Sequence, residues 1–164
     1  MDQSCGRWSL VSLYLLGVRA CLICDRAYCD DGTVPKDSLL AKSGELFDGA
    51  AEKMGKPADS IFKSKARIEA AGFTNIKEVW YKVPIGDWTK SPLLKEAGRF
   101  TKTQMLEGSG GYALFILTHY GVPENWSPEK MHVWTALMRK DLNNPAYHAY
   151  CLKRRVYAQK PVNG

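Results

Sequence analysis

The sequence predicts an α+β fold, or an α/β fold that is incomplete, with several helices and a small sheet. Apolar residues recur at helical spacing over residues 36–54, 59–71 and 128–142, each run bounded by a capping residue or a glycine. Apolar and polar residues alternate with a period of two over residues 74–83 and 147–160, the pattern of half-buried strands. At 164 residues with 45% hydrophobic content, the chain is long enough to bury a core.

The elements follow in order. Residues 9–24, SLVSLYLLGVRACLIC, are the most apolar run. The run is too short for a membrane span and is interrupted by Arg19, so it reads as a buried strand or core segment. Asp30, Asp31 and Gly32 are turn formers before Pro35. The next helix has Asp37 or Ser38 to accept its first amides, Leu39, Leu40, Leu46, Phe47 and Ala50 for its core face, and Gly55 to stop it.

A second helix over residues 59–71 uses Ile61, Phe62, Ala66, Ile68 and Ala70, and Gly72 lets the chain turn so that Phe73 folds back. The strand over residues 74–83 places Val79, Tyr81 and Val83 on one face and Trp80 and Lys82 on the other, until Pro84 removes a ladder donor. After a loop, a short helix is expected over 93–98 and a longer one over 100–120, with Leu106, Leu114, Phe115 and Leu117 inward. Gly108, Gly110 and Gly111 weaken or break that helix, each at about 1 kcal/mol relative to alanine.

Ser127 and Pro128 start the helix over 128–142, which buries Val133, Trp134, Leu137 and Met138. Asn143, Asn144 and Pro145 end it. The last strand then carries Tyr150, Leu152, Val156 and Ala158 on one face and Lys153, Arg155 and Gln159 on the other. No linker or repeat divides the chain, which reads as one structural unit.

Lys and Arg number 23 against 17 Asp and Glu, a formal charge of +6. The basic residues are scattered except at Lys153, Arg154 and Arg155, so the balance describes a solvated basic face. The cysteines are an odd set of five, Cys5, Cys21, Cys24, Cys29 and Cys151, which argues against a disulfide framework and for a reducing compartment. A single C-x-x-C pair does not make a structural zinc site, so no metal is expected.

In order along the chain, DDGTVPKDSLLAK, IEAAGFTNIKEVWYKVPIGDW, LLKEAGRF, NWSPEKMHVW and RKDLNNPAYHAY together resemble the C-terminal part of fungal class I S-adenosylmethionine-dependent methyltransferases. Within that group the similarity is to the trans-aconitate methyltransferase-like proteins and the velvet-associated regulators of secondary metabolism. The resemblance implies a methyltransferase-like region over residues 30–161, preceded by a divergent apolar segment over 1–29. It also implies that the strands over 74–83 and 147–160 pair antiparallel, as part of a Rossmann-like sheet.

The cofactor of the intact family is S-adenosylmethionine, held where a glycine-rich turn follows the first strand. Here EGSGGY falls inside a helical pattern with no strand before it, so the run reads as helix irregularity. No acidic residue ends a following strand to take the ribose hydroxyls. The chain thus reads as a truncated family member that lacks the cofactor-binding half, binds no cofactor alone and is inactive alone. The alternative is a non-catalytic interaction module whose basic edge, Lys153 to Arg155, meets a protein or nucleic-acid partner, of which the nucleic acid is the weaker expectation.

The resemblance implies a small-molecule methyl acceptor; no membrane partner is expected from the short, Arg19-interrupted apolar run, and a cytoplasmic or nuclear location is expected. Methyl transfer needs an aligned nucleophile, and a base when the nucleophile must lose a proton. Candidates on the substrate side are Trp88, His148 and Tyr28. Trp88, in the loop after a strand, reads as a substrate contact or as a core anchor. His148, opening the last strand, reads as a base or as a structural histidine. His119 and His132, alone on helices, receive no role.

Overall fold

The structure, a computed structural model, describes residues 11–14, 17–56 and 60–161, with side chains for all of these but 11–25, 60, 61 and 109. Its elements are β1 (Val11–Tyr14), β2 (Gly17–Tyr28), α1 (Leu39–Lys53), α2 (Ser60–Ala70), β3 (Thr74–Pro84), α3 (Pro92–Tyr120), α4 (Pro128–Leu142) and β4 (Tyr150–Gln159). The α+β class read from the sequence holds. The backbone of the apolar N-terminal run is strand where it is described; its side chains, with Cys5, Cys21 and Cys24, lie outside the described residues.

The sheet runs β1-β2-β4-β3, so the last strand lies between two earlier ones. β1 and β2 are antiparallel, with Val11 opposite Ala20 and Tyr14 opposite Gly17. The Asn75 amide bonds Gln159, Glu78 bonds Arg154, and the Ile85 amide bonds the Ala149 carbonyl. Partner numbers on β4 fall as those on β3 rise, so these strands also pair antiparallel, as expected.

By internal contacts the chain divides into two compact units. One comprises Cys24–Ala58 and Lys82–Leu152; the other comprises Met1–Ile23, Asp59–Tyr81 and Lys153–Gly164.

In the first of these units α1, α3 and α4 pack on one another. Leu40 and Ala50 of α1, Ala113, Ile116 and Leu117 of α3, and Met131, Trp134, Met138 and Leu142 of α4 form its core. Ser38 caps α1 by accepting from the Ala41 amide at 3.2 Å, and Ser127 caps α4 by accepting from Lys130 at 3.3 Å, with Pro128 at the first helical position.

Three expectations for the helices need correction. α3 is one helix of 29 residues where two were expected. Its glycines at 108 and 111 face open space, and the cost of helical glycine is offset by burial of Thr101 on one side of them and Ala113, Ile116 and Leu117 on the other. Leu114 and Phe115 are exposed rather than inward, because the buried stripe follows 113, 116 and 117 through an apolar run that gave no unique phase. Val133 and Leu137 are likewise exposed, off the stripe of 131, 134, 138 and 142.

In the other unit α2 ends at Gly72, whose φ of 79° places the Phe73 amide 3.3 Å from the Ile68 carbonyl, the fold-back anticipated from the sequence. Arg154 corrects the reading of an exposed basic triplet. It is 3% exposed, on the buried side of β4 with Val156 and Ala158. Its Nε donates to Glu78 at 2.8 Å, and its guanidinium lies 5.0 Å from the Trp80 ring centre. Arg154, with help from the Trp80 indole, holds the Glu78 carboxyl below the usual carboxylate range.

Among the glycines of the first unit, Gly98 leaves the least room for a side chain. A Cβ there would lie 1.9 Å from the Gly86 carbonyl oxygen, and the Gly86 amide donates to the Gly98 carbonyl at 3.0 Å. Gly98→Ala should therefore lower stability by about 1–3 kcal/mol, the usual range for overpacking. Gly108→Ala, into open space within the same helix, should raise it by about 1 kcal/mol. Urea denaturation of both variants checks the pair, and equal effects would mean that the loop does not press on α3.

Candidate functional site

Three backbone segments converge at the carboxyl end of β2. The first is Cys29 to Val34, where Asp31 Oδ1 accepts from the Thr33 amide at 3.1 Å and the Thr33 hydroxyl at 2.8 Å, locking a turn. The second leaves β3 at Pro84 and runs through Trp88. The third joins α4 to β4, where the Asn144 side chain accepts from Ala146 at 3.0 Å and the Asn144 carbonyl from Tyr147 at 3.3 Å.

Ala149 ties the second segment to the third. Its carbonyl accepts from the Ile85 amide at 2.8 Å and from Trp88 Nε1 at 2.9 Å. Thr33 ties the first to the third, because its hydroxyl accepts from the His148 amide at 2.9 Å. The end of β2 thus meets the start of β4, as does the end of β3.

His148 stands where these segments meet. Its Nδ1 lies 2.6 Å from Asp31 Oδ2, and its ring stacks on the Trp88 indole with centres 5.0 Å apart and planes 24° apart. Asp31 is fixed in turn by Thr33 and by the Cys29 thiol, which donates at 3.1 Å. His148 first, then Cys29 and Thr33, hold the Asp31 carboxyl far below the usual carboxylate range. Both side chains remain open to solvent, at 38% and 47% exposure.

Beside this pair, Asp30 accepts from Lys82 at 2.5 Å and from the Tyr150 hydroxyl at 2.8 Å. Lys82 also lies 4.6 Å from the centre of the Tyr150 ring, on which Tyr28 stacks at 5.8 Å. Lys82, then Tyr150, hold the Asp30 carboxyl low; Asp30 in turn raises the Lys82 ammonium. Burial, then the Asp30 carboxylate, push the Tyr150 phenol up.

Trp88 and His148, named from the sequence, are in direct contact, and Tyr28 reaches the same cluster through Tyr150 and Asp30. Two details differ from expectation. β4 begins at Tyr150, so His148 precedes the strand rather than opening it, with its amide on the Thr33 hydroxyl. Asp30 and Asp31 are turn residues directly after a strand, and they also hold Lys82, Tyr150 and His148. The sequence signal for this was only the pair of acids; their partners are 52 to 120 positions away. His119 bonds within its own helix, Nδ1 to the Phe115 carbonyl at 2.9 Å, and His132 is exposed on α4.

A cleft of about 290 Å³ between the start of α1 and the end of α4 is lined by Ser38, Leu39, Leu137, Lys140, Asp141 and Tyr147 among others. The Asp141 carboxylate already accepts from the Leu40 amide at 3.2 Å, so this helix start has its anion. Among the described residues no group of three His, Cys, Asp or Glu could hold a metal ion, and no helix is long and apolar enough to cross a membrane.

No family model matches the chain, and no solved structure matches it significantly. It is similar to the methyltransferase pytC of Aspergillus terreus, at 31% identity over 134 residues, covering 82% of this chain and 40% of that protein. It is also similar to the secondary metabolism regulator LAE1 of Cochliobolus heterostrophus, at 30% identity over 74% of this chain and 39% of that one. The secondary metabolism regulator laeA of Gibberella zeae is 22% identical over 81% of this chain and 42% of its own length. The chain spans about two fifths of the length of the curated relatives it matches.

The low folded pKa of Asp31 fixes the sign of a pH effect. Its contribution is complete above the unfolded value of about 3.9 and is lost as pH falls below that towards the folded value. In urea denaturation, Asp31→Asn should flatten the fall in stability between about pH 5 and pH 2 relative to the unaltered chain. Parallel curves would mean that the His148 contact does not form in solution.

Proposed function

We propose, from the chain's kinship with fungal methyltransferases and secondary-metabolism regulators, that residues 30–161 form the C-terminal, acceptor-side part of an S-adenosylmethionine-dependent methyltransferase. The observation that carries this reading is the His148–Asp31 pair, stacked on Trp88 at the carboxyl ends of β2 and β3. The position of β4 between β2 and β3 supports it, since in the resembled Rossmann-like fold the last strand inserts in reversed direction beside the preceding one. The substrate of such a site is a small-molecule methyl acceptor, with Trp88, His148 and Tyr28 on its side.

In the family the cofactor supplies an electrophilic methyl group on a sulfonium. The described residues do not fit its anchoring. Residues 108–111, the glycine-rich run, lie within α3, where helical amides are engaged by carbonyls four residues back. The turn after β2 offers one glycine beside two carboxylates that already have partners. Among the described residues no glycine-rich turn joins a strand to a helix, and we therefore read residues 30–161 as not holding the cofactor by themselves. A nucleic-acid-binding role has less support, because burial of Arg154 removes the middle of the basic triplet.

Calorimetric titration of the purified chain with S-adenosylmethionine tests this. The expected outcome is no saturable heat in the micromolar range typical of enzyme substrates. One-to-one binding that disappears in Trp88→Ala or His148→Ala would overturn the reading and place a complete cofactor site within these residues.

A further inference from the structure

β3 ends the strand order β1-β2-β4-β3, so one of its edges has no partner among the described residues. The Ile85 amide donates to the Ala149 carbonyl, Asn75 meets Gln159 and Trp80 meets Arg154, all in one antiparallel register. Alternate residues of such a ladder point their amides and carbonyls away from the partner strand. With the Ile85 amide turned towards β4, those of Glu78 and Trp80 face the open edge. An edge of this kind is a template for one more strand.

The two faces beside that edge differ in chemistry. Towards α2, the Phe62 ring stacks on the Trp80 indole with centres 6.0 Å apart and planes 29° apart, and the two residues stay 57% and 41% exposed. Glu78, the one acid of β3, lies on this side and is engaged by Arg154 and the Trp80 indole. The opposite face of β3 carries Asn75, Lys77, Val79 and Tyr81, with no carboxylate. Lys77 is exposed and has no ion pair among the described residues, and the Arg155 guanidinium lies 5.5 Å from the Tyr81 ring centre. One side of the edge thus offers aromatic surface and the other offers positive charge.

We propose that this edge takes an extended peptide as a further strand, with alternate side chains apolar towards Phe62 and Trp80 and acidic towards Lys77 and Arg155. Main-chain hydrogen bonds to Glu78 and Trp80 hold the peptide, and its period of two sorts apolar from acidic side chains onto the two faces. The exposed ring pair is the anchor, because aromatic side chains carry the most area into such a contact. A second copy of this chain fits less well, since its own β3 brings Lys77 where an acid is wanted. The surface is independent of the methyl-transfer reading and goes beyond it.

The test is the fluorescence anisotropy of a labelled octapeptide of alternating Leu and Glu, titrated with the purified chain at neutral pH and low salt. Binding should be saturable, and the Glu78 and Trp80 amides should gain protection from hydrogen exchange in the bound state. Lys77→Glu should weaken the Leu–Glu peptide and strengthen a Leu–Lys peptide, each about tenfold. Phe62→Ser should weaken both, and N-methylation of the alternate peptide amides that face β3 should abolish binding. Each variant should keep its circular dichroism spectrum. If Phe62→Ser does not fold, the amide protection and the Lys77→Glu exchange of preference decide the matter.

No binding at any soluble concentration, binding without protection of Glu78 and Trp80, or equal affinity for the two peptides would overturn the proposal. So would a dimer, seen by sedimentation, in which those amides are already protected, because the edge then belongs to a second copy. An oligothymidylate that displaces the peptide and leaves both amides exchanging would overturn it as well, assigning the basic face to nucleic acid.

Discussion

The carbonyl of Ala149 is the constraint on which the site depends. Ala149 is 1% exposed, so its oxygen must find donors within the protein, and it finds two, the Ile85 amide and the Trp88 indole. The first extends the β3–β4 pairing by a step; the second pins the loop that follows. A buried acceptor left without a donor costs about 1–3 kcal/mol, and the same loop is held to α3 by the Gly86 amide on the Gly98 carbonyl and by Arg99 on Asp87. Trp88 is thereby placed where His148, one residue before Ala149, must stack on it. Of the two readings of Trp88 made from the sequence, the anchor is the one its indole hydrogen bond to the Ala149 carbonyl supports.

Two adjacent carboxylates divide the polar work. Asp30 gathers Lys82 and Tyr150; Asp31 gathers His148, Thr33 and the Cys29 thiol. Neighbouring like charges oppose each other's ionisation, yet each acid is kept ionised by its own donors. Both pairs are solvent-open, so their value lies in orientation more than in stability.

What was legible in the sequence was local. Ser38, Ser127 with Pro128, and Gly72 each act on amides or carbonyls within five residues, and each element they bound lies close to where it was read. β3 and the antiparallel partner were legible as well, the first from its alternation and the second from family resemblance. What escaped was decided by distant contacts. The continuity of α3 depends on open space beside Gly108 and Gly111 and on burial to either side, neither of which a propensity scale contains. The phase of its buried stripe is ambiguous where Ala113 to Leu117 are all apolar. The partners of Asp30 and Asp31 come from β3, β4 and the segment before β4, and turn-forming chemistry hides any second role in the sequence.

The inward turn of Arg154 changes how the C-terminal strand would look to a polyanion. Counterion release scales with the phosphates neutralised, at a slope of about 0.9 per contact in the logarithm of affinity against that of salt. Three consecutive basic letters suggest about three contacts, a slope of roughly 2.7. With the middle guanidinium held by Glu78 and Trp80, Lys153 and Arg155 are left to answer for the triplet, on the side of the strand that Arg154 does not share. Part of the chain's formal positive charge is thus internal mortar, invisible to a partner that samples only the field outside.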